Sequence, residues 1–66
     1  MSENAIKVYF DLLANKIANM FGVTREQATA AIQGSAIQKL IREDPEYVDH
    51  VPLSDWAEEI YGEMFA

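Results

Sequence analysis

Residues 21–35, written FGVTREQATAAIQGS, hold a helix stop, a helix start and a second stop. Gly22 lacks a Cβ, so it can take the left-handed conformation that ends a helix. Thr24 can cap the next helix, and Gln27, three residues on, completes the capping-box pattern Thr-x-x-Gln. Gly34 then closes that helix, and Ser35 with Gln38 repeats the start signal as Ser-x-x-Gln. A first helix must turn into a second here, either as a corner of a small bundle or as the turn of a DNA-reading helix pair.

The flanking sequence supplies the other helices. Ser2 or Asn4 can cap a first helix, with Glu3 near its positive end. Ile6, Phe10, Leu13, Ile17 and Met20 follow steps of four and three and form an apolar stripe, which Tyr9 and Leu12 widen; Val8 lies off it. The second helix, about 25–33, is built on Ala28, Ala31 and Ile32, small enough for close helix approach. A third, about 36–43, presents Ile37, Leu40 and Ile41, with Lys39 and Arg42 at the end where the helix dipole favours cations. The Asp44-Pro45 step stops it, because a residue before proline avoids the α region. Residues 46–50 read as one loose turn with Tyr47 and Val48 facing inward. After Pro52, Ser54 or Asp55 caps a last helix that carries Trp56, Ala57, Ile60, Tyr61, Met64 and Phe65 on one broad face. Gly62 inside that helix costs about 1 kcal/mol relative to alanine. No alternating strand pattern, repeat or low-complexity run occurs. The expected fold is all-α: a compact bundle of four helices, one long, two short and one medium, in a single domain over 1–66.

Composition narrows the function classes. A chain of 66 residues buries only about 60% of the surface it exposes when unfolded, and scaffolds this small usually add disulfides, a metal or a partner subunit. It has no cysteine, which removes disulfides, thiolate metal sites and cysteine nucleophiles and suits a reducing compartment. No apolar run approaches the roughly 18 residues of a membrane span. The opening MSENAIK lacks the basic start and apolar core of a signal peptide. The expectation is a cytoplasmic protein with no membrane contact. The net charge of −6 is unevenly spread: residues 1–42 carry three acids and five bases, whereas residues 43–66 carry eight acids and no base. Such an acidic end is a solvated face, a surface for a basic partner, or a means of repelling nucleic acid.

Candidate chemistry is sparse. The one histidine, His50, has Asp49 beside it, but adjacency in a loop is not an acid–base geometry. Glu43, Asp44, Glu46 and Asp49 cluster without the glycine-centred loop of a calcium hand, and no zinc-ligand spacing is present. The sequence therefore points away from an enzyme and from any cofactor or metal.

Nucleic-acid binding has a more specific pattern behind it. The stretch 17–32, with Ala18, Gly22, Val23, Thr24, Ala28 and Ala31, resembles a helix-turn-helix. That resemblance implies base contacts from Thr24, Arg25, Gln27 and Thr29, with Lys16 and Lys39 on phosphates. Against it, Glu26 offsets Arg25, the basic excess of residues 1–42 is only two, and phosphate neutralisation normally needs several bases. The outline Met20-Phe21-Gly22 before an alanine-rich helix also resembles a ubiquitin-binding three-helix module, with glycine and phenylalanine in reversed order. Finally, Ser35-Ala-Ile-Gln-Lys-Leu-Ile, an acidic connection, and His50-Val-Pro-Leu-Ser-Asp-Trp-Ala before an acidic helix resemble a group of small bacterial helical proteins of unknown function. That resemblance covers most of the chain and implies a protein partner and no catalytic residue.

The reading that follows is a small protein–protein interaction or regulatory module, acting as a homodimer or on another protein. Tyr9, Trp56, Tyr61, Met64 and Phe65 are its candidate contact residues, since aromatic and methionine side chains enrich interface cores. The alternative is a helix-turn-helix regulator that uses residues 17–33.

Overall fold

The computed structural model describes residues 2–65, with the side chain of Phe65 left out. Of the described residues 84% are helical and none is in a strand. The elements are α1 (Glu3–Phe21), α2 (Arg25–Gln33), α3 (Ile37–Glu43), α4 (Pro45–His50) and α5 (Leu53–Phe65). The long, short, short and medium helices expected from the sequence are present, and the loose turn at 46–50 is a six-residue helix in its own right.

Each boundary has a local cause. Ser2 Oγ accepts from the Ala5 amide at 3.1 Å and starts α1. Gly22 ends it at φ 69°, with its N–H donating to the Ala18 carbonyl. Thr24 and Gln27 form the reciprocal capping box, at 3.1 and 2.9 Å. Asp44 serves two helices at once: its backbone N–H closes α3 on Leu40 O, and its carboxylate accepts from the Tyr47 amide at the start of α4. Val51 is extended, as a residue before proline prefers, and this ends α4.

Two starts differ from expectation. Ser35 does not cap α3: its hydroxyl turns back and donates to Ile32 O at 2.8 Å, joining the Ser35 amide on that carbonyl at the end of α2. Ala36 takes the cap position with no side-chain bond. Helix α5 begins at Leu53 rather than after Ser54 or Asp55, because the Pro52 carbonyl accepts from both the Asp55 and Trp56 amides. Asp55 instead lies in the first turn, where a negative charge complements the helix dipole.

Helix α1 is the spine, with α2 and α5 packed along it, while α3 packs on α4 and α2 touches both α3 and α5. The core contains Ile6, Leu13, Ala14 and Ile17 of α1, Ala28, Ala31 and Ile32 of α2, Ile37 and Ile41 of α3, Val48 of α4, and Trp56, Ala57 and Ile60 of α5. The expected α1 stripe is narrower than its sequence suggests. Phe10 is half-buried, while Met20 and Leu12 are exposed; Ala14, on the side toward Phe10 and Ile17, is buried instead. Tyr47 is likewise exposed, and only Val48 of that pair faces inward. Among the described residues no helix is long and apolar enough to cross a membrane.

Candidate protein-interaction surface

The candidate contact residues occupy three different environments. Trp56 is 6% exposed and belongs to the core, so it is not a surface anchor of the single chain. Its Nε1–H donates to Val48 O at 3.1 Å, and the Tyr9 hydroxyl donates to the same carbonyl at 3.4 Å. The reason lies in the sequence. A continued helix would offer that carbonyl the amide of residue 52, but residue 52 is proline and has no N–H. Two aromatic donors, from α1 and α5, take the place of the missing amide. Burial pushes the Tyr9 phenol above its ordinary pKa, and the Asp49 carboxylate adds to this. The Tyr47 ring stands edge-on to Trp56, with ring centres 6.1 Å apart.

Tyr61 is half-buried and stacks on Phe21 at 4.0 Å between ring centres, joining the end of α1 to α5. Met64 is 49% exposed. Phe65 is helical, and its side chain lies outside the described residues. Among the described side chains, Trp56 and Tyr9 meet at the Val48 carbonyl, and Tyr61 lies at the Phe21 contact.

The sequence reading missed Val8 and Leu12, which are 53% and 52% exposed on α1, and Tyr47 on α4. The signal for Val8 was present in its position off the buried stripe. Leu12 stood at the stripe's edge, where spacing alone does not decide between core and solvent.

The four base readers of the helix-turn-helix reading, Thr24, Arg25, Gln27 and Thr29, are all exposed, yet each has a local partner. Thr24 and Gln27 cap each other. Arg25 pairs with Asp11 at 3.2 Å, and the Thr29 hydroxyl donates to Arg25 O at 2.9 Å. Lys39 pairs with Glu43 at 3.6 Å. Arg42 bridges Glu3 at 3.1 Å and also donates to Gln38 O, tying α3 to the start of α1.

An open cleft of about 370 Å³ lies between α1, α2 and α3, with Ile6, Phe10 and Ile32 along it and Glu3, Lys7, Asp11, Gln33 and Arg42 among its polar residues. Acids and bases alternate around it, so it carries no single sign of charge. Among the described residues no three histidine or acidic side chains converge on a point where an ion could sit.

The fold and its surface define a small all-α protein whose half-exposed apolar side chains lie on several helices. No protein-family model matches the chain, and comparison with curated protein sequences and with solved structures gives no match either.

Proposed function

We propose that the chain is a non-catalytic protein–protein interaction module. The observation that carries this reading is the set of large apolar side chains left 38–53% exposed: Val8, Leu12, Met20, Tyr47 and Met64. In a chain this small they form a large share of the apolar inventory, and their contact with water is relieved by a protein partner. The acidic end tunes which partners approach, since eight acids without a base repel anionic surfaces.

The helix-turn-helix alternative draws on less. Its one arginine is already paired with an acid, and two of its four readers are tied to the cap. A mobility-shift assay with random duplex at low salt is expected to show no complex, since phosphate contacts are strongest there.

Two measurements test the interaction reading together. Sedimentation of the purified chain across concentration reads self-association. Capture of partners by the wild type is compared with Leu12→Lys, Tyr47→Lys and Met64→Lys, each first shown to be folded by circular dichroism. Association that at least one substitution abolishes supports the reading. A monomer throughout, with identical capture by all four proteins, overturns it.

A further inference from the structure

Helix α1 carries two stripes with the same spacing. The inward one, Ile6-Phe10-Leu13-Ile17, is used inside the fold, with Phe10 half-buried. The second runs through Ala5, Val8, Leu12, Asn15 and Asn19 in steps of three, four, three and four, and all five residues are exposed. This is the heptad spacing of a two-stranded coiled-coil seam, apolar in its first half and asparagine in its second. The charged residues flanking it within α1 are Asp11 on one side and Lys16, five positions later, on the other; both are exposed.

We propose that this outer face of α1 pairs in parallel with the same face of a second copy. The inference rests on the interaction reading above and names its partner.

Charge selects the occupant and its direction. In a parallel pair, a residue on one flank of the seam faces the residue five positions later on the opposite flank of the other helix. Asp11 of each copy therefore meets Lys16 of the other, twice by symmetry. An antiparallel pair sets like flanks against each other, acid on acid and base on base, and forgoes both attractions. Asp11 stays 58% exposed while paired with Arg25, so its carboxylate remains open to the partner's lysine. The asparagines do for register what single polar seam residues do in coiled coils: they lower affinity and disfavour slipped pairings. The docking direction also keeps like charge apart. Helix α5 packs on α1, whose buried side bears Leu13 and Ile17, so the acids of α5 in the two copies lie away from the seam. Val8 and Leu12 are already half covered within the chain, so the apolar gain is small and association is expected at about 0.1–1 mM.

The absence of cysteine makes the test clean. In the full chain, Leu12→Cys puts one thiol on the seam, and Lys7→Cys puts one on the same helix away from it. Under mild oxidation Leu12→Cys is expected to form a disulfide-linked dimer at least ten times faster than Lys7→Cys. Sedimentation equilibrium of the wild type is expected to show a monomer–dimer equilibrium that Lys16→Glu weakens about two- to five-fold, the scale of exposed ion pairs. Equal cross-linking rates of Leu12→Cys and Lys7→Cys, beside a wild type that does dimerise in sedimentation, overturn the seam and leave the interaction reading standing. A wild type that is monomeric at about 1 mM also overturns the seam, and the capture experiment then decides the broader reading by itself.

Discussion

The Val48 carbonyl shows how much one proline decides. Because Pro52 brings no amide, the end of α4 is closed by side chains 39 and eight residues away, Tyr9 and Trp56. Trp56→Phe keeps most of the buried area and removes one donor. It is expected to cost about 1 kcal/mol, the net worth of a typical hydrogen bond, together with a packing loss from the smaller ring. Urea unfolding followed by circular dichroism measures it, since the only tryptophan is then gone. Tyr9 adds a pH dependence whose sign follows from its raised pKa. The folded chain holds the phenolic proton more tightly than the unfolded chain, where the value is 10.0. Once pH rises past that point the unfolded state binds fewer protons, so stability falls until the folded pKa is reached. Below it this contribution is constant. Thermal melts from about pH 9 to pH 11 are expected to show a decline in the wild type that is shallower in Tyr9→Phe.

At the scale of helices, the glycines separate cleanly. Gly22 sits at φ 69°, where a Cβ costs about 1–2 kcal/mol, so Gly22→Ala is expected to destabilise by that amount in denaturant titration. Gly62 lies inside α5 with open space around its missing Cβ, and Gly62→Ala is expected to stabilise by about 1 kcal/mol. These positions were legible in the sequence, as were the Thr24–Gln27 box and the break at Asp44-Pro45, because every atom involved lies within a few residues. Ser35 was not. Its hydroxyl had an amide ahead and a carbonyl behind within equal reach, and only the path of the chain between α2 and α3 chose the carbonyl. The role of Trp56 was hidden for a stronger reason: an amphipathic helix shows which face is apolar, never what covers it. The same limit put Leu12 in the core stripe, although α2 and α5 cover α1 from directions that leave it in water.

Over the whole molecule, the radius of gyration of 10.8 Å equals the value of about 10.8 Å expected for a compact chain of this length. Within that radius, charge is unbalanced. Among the described residues, ion pairs join Glu3, Asp11 and Glu43 to bases, which leaves most of the eight acids of residues 43–66 to repel one another. Raising ionic strength from about 0.01 to 0.15 M shortens the screening length from about 30 to 8 Å. The repulsion weakens more than the three exposed pairs lose, so the melting temperature is expected to rise by a few degrees. A fall on adding salt would assign the net stability to the ion pairs instead.

The shared carbonyl also fixes an order of events. Six residues are too few for α4 to persist alone, and its closing donors come from opposite regions of the chain. The contact from Tyr9 spans 39 positions, so loop closure delays it relative to the α1–α2 hairpin. Helix α4 is then expected to acquire protection from amide hydrogen exchange after the α1–α2 hairpin during refolding, and Trp56, whose indole reports that step, is the clock by which it can be timed.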